Sequence, residues 1–177
     1  MQPGELIAGD RGARAQQGDD LARAWAVLGQ VMDPEVPVVS VVDLGIVRDV
    51  DWRAGHLHLV VTPTYSGCPA TEVIEGDIRQ ALEQAGFTAP ELERRLTPAW
   101  STDWISELGR ERLRAYGIAP PQGSASKRSL LGEAPQVCCP QCGSAHTELL
   151  SQFGSTVCKA LYRCVACREP FDYFKCI

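Results

Sequence analysis

Residues 44–85 read LGIVRDVDWRAGHLHLVVTPTYSGCPATEVIEGDIRQALEQA, and the fold class follows from them. From Ile46 the side chains alternate. Ile46, Arg48, Val50 and Trp52 point one way and Val47, Asp49 and Asp51 the other, which is the period of a strand. His56–Thr62 is a second β-rich run, and Arg53-Ala54-Gly55 is a short turn between them, so the pair is expected to form a hairpin. The loop Pro63-Thr64-Tyr65-Ser66-Gly67-Cys68 leads into a helix over about Pro69–Ala85, with Val73, Ile74, Ile78, Ala81 and Leu82 inward. Gly86 stands where a C-terminal capping glycine belongs.

Working outward, Leu21, Trp25, Leu28 and Met32 recur on one face of a helix expected from about Asp19 to Met32. Asp33-Pro34 stops it, because the residue before a proline is pushed out of the α region. Residues 35–43 read as an extended loop. A third strand is expected near Glu91–Thr97. A third helix is expected from Ser101 or Thr102 to about Tyr116, with Trp104, Ile105, Leu108 and Leu113 apolar. Helix, strand, strand, helix, strand, helix is the order of a small α+β domain, residues 19–118. Residues 1–18, rich in Gly, Ala and Gln, read as a mobile tail, and residues 119–136, rich in Pro, Gly and Ser, as a linker.

The remaining residues, 137–177, are of another kind. Seven of the eight cysteines lie here. Cys139-Pro140-Gln141-Cys142 and Cys164-Val165-Ala166-Cys167 are two CxxC turns. Each turn brings two thiolates together, and two turns complete a tetrahedral four-sulfur site of the kind zinc takes in a β-ribbon. Val157–Arg163 is the expected strand between the turns. Cys138 adjoins the first pair and could replace Cys139, which the CxxC spacing favours; His146 is a further candidate ligand. Cys158 and Cys176 have no partner at that spacing. They read either as small buried hydrophobes or as secondary thiols that help carry iron. Phe153, Tyr162, Phe171, Tyr173 and Phe174 are more than a thin ribbon can hide. They either pack on the first module or form a docking surface.

Charge and composition exclude several classes. The chain carries a net charge of −5, with 45% hydrophobic and 22% charged residues, so it is a globular protein. The negative charge lies in residues 1–137, and only Lys159, Arg163, Arg168 and Lys175 accompany the ribbon aromatics. A zinc-ribbon nucleic-acid protein is therefore disfavoured. No apolar run approaches the roughly 18 residues of a membrane span. Residues 1–18 contain no secretory apolar core, which predicts a cytoplasmic protein whose thiols stay reduced and available to metal.

Cys68 stands apart from the other cysteines. It precedes Pro69 at a helix start, where backbone N–H groups and the helix dipole favour a thiolate, while Glu72 one turn on works against one. It reads as a reactive or metal-handling thiol, or as a cap. His56 and His58 lie on the adjacent strand and are expected to face solvent, so a catalytic Cys–His pair is not expected.

Three stretches carry a family resemblance: Asp33-Pro34-Glu35, Asp43-Leu44-Gly45-Ile46-Val47 and Thr62-Pro63-Thr64-Tyr65-Ser66-Gly67-Cys68-Pro69. They resemble the SufT-like domain family of iron–sulfur protein assembly. Residues 153–164 (FGSTVCKALYRC) and 169–176 (EPFDYFKC) resemble the ribbon of the PaaD (PaaJ) family, encoded with the bacterial multicomponent phenylacetyl-CoA epoxidase. The resemblance implies a SufT-like α+β domain, a mixed sheet packed with helices, followed by a zinc β-ribbon. It implies weight on Asp43, Thr64 and Cys68 as an iron or cluster transfer site, with zinc in the ribbon and iron or an iron–sulfur cluster held in passing. It implies an accessory factor whose partners are the oxygenase (di-iron) or reductase ([2Fe–2S] and flavin) components. No Glu-x-x-His di-iron motif and no GxGxxG fingerprint occur in the chain, so it is expected to be neither component. A purely structural or interaction subunit is the alternative.

Overall fold

The computed structural model describes residues 5–122 and 136–175. Its elements are α1 (Glu5–Leu28), β1 (Val47–Arg53), β2 (His56–Val61), α2 (Ala70–Gln84), β3 (Glu91–Arg94), a short 3-10 turn (Thr102–Trp104), α3 (Glu107–Tyr116), β4 (Ile118–Ala119), β5 (Thr147–Ser151), β6 (Lys159–Cys164) and β7 (Pro170–Phe174).

The first sheet has the order β1-β2-β3. β1 and β2 are antiparallel and joined by the two residues Ala54 and Gly55, both at positive φ (49° and 86°). Positive φ at both positions gives the turn a twist that matches its strands. β3 runs parallel to β2, because α2 crosses over between them. β2 is therefore central. Leu57, Leu59 and Val61 lie in the core beneath α1 and α2, with Ala24, Leu28, Ile74, Ile78 and Leu82. Its central place also buries His58, contrary to the solvent-facing position expected. His58 Nε2 lies 3.3 Å from Glu93 Oε2, a β3 residue.

Two helix boundaries differ from the sequence reading. α1 runs from Glu5, so helix replaces the tail expected before Asp19, and it ends at Leu28. Met32, expected on its buried face, is 39% exposed and bridges Ser40 in the following loop. The loop residues Val36, Val39 and Val41 take that place in the core. The third helix is broken in two. Ser106 Oγ accepts from Gly109 N at 2.9 Å and starts α3 afresh, which leaves Leu108 exposed. Val73 of α2 is exposed as well.

The second sheet has the order β4-β7-β6-β5. β5, β6 and β7 form the antiparallel ribbon, while β4 belongs by chain to the first module and pairs parallel with β7. The seam is also apolar. Phe174 is 1% exposed, its ring centroid lies 6.1 Å from that of Trp100, and both it and Cys158 are members of the first module's core cluster. Phe171 and Tyr173 pack instead with Ala119, Val137, Cys139, Ala160 and Cys164 in a small core of the ribbon's own. Phe153 is exposed, beneath the Lys175 ammonium.

Candidate functional site: a four-sulfur cluster and a pocket between two modules

The two CxxC turns converge. The sulfurs of Cys139, Cys142, Cys164 and Cys167 all lie within 4.8 Å of one another. Cys139 Sγ is 3.7 Å from Cys167 Sγ, and Cys142 Sγ is 3.6 Å from Cys164 Sγ. A tetrahedral zinc with bonds of about 2.3 Å requires sulfur–sulfur edges of roughly 3.8 Å, which these two edges already match. Local backbone geometry sets it. Gly143 at φ 74° and Arg168 at φ 65° each close a knuckle. Cys167 N lies 3.5 Å from Cys164 Sγ and holds that thiol down to about 6, close to the thiolate form that binds metal. Cys139, not Cys138, joins the cluster, and His146 is not part of it. Cys138 is half-buried beside it. Cys176 lies outside the described residues.

The second place where chemistry-bearing side chains meet is a small pocket between the modules, with a cavity volume of about 20 Å³. The first module contributes Asp33, Glu35, Thr64, Cys68 and Glu75, the last paired with Arg94 at 2.8 Å, and the ribbon contributes Cys158 and Phe174. Each arrives for a local reason. Asp33 Oδ1 accepts from Glu35 N and Val36 N at 2.9 and 2.8 Å, so this residue, five positions past the end of α1, folds the next turn back over the pocket. Cys68 sits just before Pro69, the residue capping α2. Its N–H donates to Tyr65 O at 3.2 Å, and its carbonyl accepts from Thr71 N, also at 3.2 Å. Cys158 Sγ lies 3.0 Å from Thr156 Oγ1 and 4.0 Å from Glu35 Oε2. Lys159, 3% exposed, reaches Glu35 O at 3.5 Å and lies 4.0 Å from Asp172 Oδ2.

The electrostatics of this pocket are those of crowded acids. Burial pushes Asp33 up in spite of its two N–H donors, and burial followed by the nearby Asp33 pushes Glu35 up. Burial likewise raises the Cys158 thiol. Tyr65 is pushed up to about 12 by burial and by the neighbouring Cys68, to which its phenol is hydrogen-bonded.

Asp43 is elsewhere. Its carboxylate accepts from Ser40 Oγ at 3.0 Å, Ser106 Oγ at 2.7 Å and Arg112 Nη1 at 2.7 Å. The rest of that motif is tied to the same segment. Leu44 O accepts from Trp100 Nε1 at 2.9 Å, and Gly45, at φ 68°, is approached so closely that a Cβ would stand 2.6 Å from Trp104 Cβ. Asp43-Leu44-Gly45 thus clasps residues 98–116 to the sheet. Asp43→Ala should leave the Ser106 and Arg112 donors without their acceptor and cost about 1–3 kcal/mol in urea denaturation. The salt bridge alone, with Arg112 39% exposed, would account for less than about 1 kcal/mol, so Arg112→Ala should cost less than Asp43→Ala.

Fold and sites together define a class: an α+β domain whose cysteine-bearing loop faces a pocket completed by a four-sulfur metal-binding ribbon. Residues 21–86 match the family model of an iron–sulfur cluster assembly protein, and residues 123–175 that of the PaaD zinc beta ribbon domain. An Escherichia coli (strain K12) protein, provisionally named as one of the subunits of 1,2-phenylacetyl-CoA epoxidase, is 55% identical over 86% of this chain and 91% of its own length. The chain belongs to that family, the PaaD family. A Porphyromonas gingivalis Fe-S protein maturation auxiliary factor is 35% identical over 52% of this chain and 86% of its own. A solved domain of unknown function, DUF59, from Bacillus anthracis superposes with a TM-score of 0.53 at 27% identity, over 56% of this chain and 96% of that one. Among the described residues no helix is long and apolar enough to cross a membrane.

Proposed function

We propose that this chain is an accessory factor of a multicomponent phenylacetyl-CoA epoxidase in aerobic phenylacetate degradation. It helps assemble the iron or iron–sulfur centre of the oxygenase or reductase component and does not itself catalyse the epoxidation. Its place is the cytoplasm, where thiols stay reduced. The observation that carries the reading is the pocket, in which Cys68 and Thr64 lie with three carboxylates at the meeting of the modules. A transfer site needs an accessible thiol and an incomplete ligand set, because a closed set keeps its metal. Cys68 is half-buried and outside the four-sulfur cluster, which meets both conditions. The ribbon zinc is structural, and the exposed Leu149, Leu150, Phe153 and Val157 suit a face that docks on the client component. That face also fits a second reading, a structural subunit that docks and carries nothing.

Cys68→Ser separates the two. In the transfer reading the variant keeps its fold and zinc, yet cells expressing it fail to grow on phenylacetate. Their purified oxygenase or reductase is then short of iron or of its cluster. Normal growth with full metal occupancy would reduce Cys68 to a structural residue and leave the docking role alone.

A further inference from the structure

We infer that the ribbon's Cys158, with Glu35, completes the site that Cys68 begins, so that the pocket between the modules holds a thiophilic divalent cation such as ferrous iron as cargo. This rests on the transfer reading above and adds to it the ligands and their origin in both modules.

The first observation is that the ribbon does not need Cys158. Its zinc cage is filled by four other sulfurs. Cys158 instead packs in the first module's core cluster, with its sulfur 4.0 Å from Glu35 Oε2 across the seam. A valine or alanine there would bury apolar surface with no polar desolvation, so packing alone does not call for a thiol. A soft sulfur beside a carboxylate, facing a second thiol across one pocket, is a mixed donor set that suits Fe(II) or Zn(II).

The second observation is charge. Asp33, Glu35 and Cys158 share the pocket, and burial holds all three toward their neutral forms. Lys159 is the cation that acts on all three, and it is shared with Asp172. The third carboxylate of the lining, Glu75, is paired with Arg94, so a divalent cation is what would offset the charge of Asp33, Glu35 and the thiols as they ionise. Tyr65, pushed up by burial and by the neighbouring Cys68, stays protonated and adds no charge of its own.

The third observation is looseness. Among the described residues the ribbon sulfurs form the tight donor group, and the pocket donors are set more widely. Capture of the ion draws Cys68, Cys158 and Glu35 inward. Each thiol releases its proton to solvent as its sulfur binds, the ion gives up waters, and its oxidation state does not change. A site closed only while the modules press together can be opened by moving the ribbon, whereas the zinc cage, built on two adjacent knuckles, cannot.

Cobalt(II) is the probe, added without oxygen to the full zinc-loaded chain. Zinc outranks cobalt at thiolate sites, so the ribbon keeps its metal, which elemental analysis verifies. The expected result is one cobalt per chain with thiolate-to-cobalt charge-transfer absorption. Cys158→Ser should lower that absorption per bound ion by about half, one of two sulfurs being lost, and weaken binding by about tenfold or more. Glu35→Gln should weaken binding while keeping the absorption per bound ion, and it leaves the buried seam unaltered should Cys158→Ser disturb it. Wild-type intensity and affinity in zinc-loaded Cys158→Ser, with Cys68→Ser defective, would overturn this inference and leave the transfer reading standing. Wild-type behaviour of Cys68→Ser would overturn both. Failure of the zinc-loaded wild-type chain to take up cobalt would overturn the two-cysteine site, while the growth test of Cys68→Ser still decides the transfer reading.

Discussion

Cys164→Ser should strip the ribbon of its zinc and unfold β5–β7. Cys164 is fully buried between the knuckles, and its sulfur faces Cys142 Sγ at 3.6 Å. Structural zinc binding in small modules supplies on the order of 10–16 kcal/mol, and in such modules that binding energy is the folding energy. Against this, the ribbon's own core is a handful of residues around Phe171 and Tyr173, which cannot hold a three-stranded ribbon together unaided. Zinc content should fall from about one per chain to none. Amide exchange should lose protection throughout β6 and β7 while persisting in β1 and β2. Two modules joined only by a linker would leave the first domain untouched. The structure changes that expectation, because β7 pairs with β4, and Phe174 and Cys158 belong to the first module's core. The first domain should therefore survive with a lower denaturation midpoint. A zinc-free variant with full protection in β6 would refute the structural role of the metal.

The parts of this molecule that can be read in the sequence are those whose signal is local. The alternation after Ile46 and the Ala54-Gly55 turn announce the hairpin because strand period and turn chemistry are written in consecutive residues. The four ribbon sulfurs are legible because each CxxC turn is a local device and needs only one counterpart. What cannot be read there has the opposite character. Met32 continues the apolar spacing of α1, but the valines of the next loop fill the core position it would have taken. The partners of the Asp43 carboxylate, Ser106 and Arg112, lie more than sixty positions later. The link between Glu35 and Cys158 spans 123 positions, and nothing near either residue announces the other. Cys158 can be suspected only as a thiol left over after zinc is served. Trp100, which covers Leu44 and meets Phe174, carries no motif at all.

That long-range seam yields the other large effect. Phe174→Ala should lower stability by about 3–5 kcal/mol, the usual cost of emptying a buried phenylalanine site. The ring is 1% exposed, it meets Trp100 at 6.1 Å in a tilted arrangement, and it lines the pocket that holds Cys68. Collapse around the vacancy is hindered on two sides. Trp100 is fixed by its hydrogen bond to Leu44 O, and the backbone at Phe174 is held by pairing with Lys159. The counterpart is Phe153→Ala in the same ribbon. Phe153 is 65% exposed, so its loss should stay within about 0.5 kcal/mol. Urea denaturation of the two variants measures the difference, and zinc content, expected to be unchanged in both, separates the seam from the metal cage. If the modules were merely tethered, both substitutions would cost little and the pocket would have no fixed wall on the ribbon side. A large cost at Phe174 alone means that the ribbon is built into the first domain, and that whatever moves the ribbon also moves the groups that face Cys68.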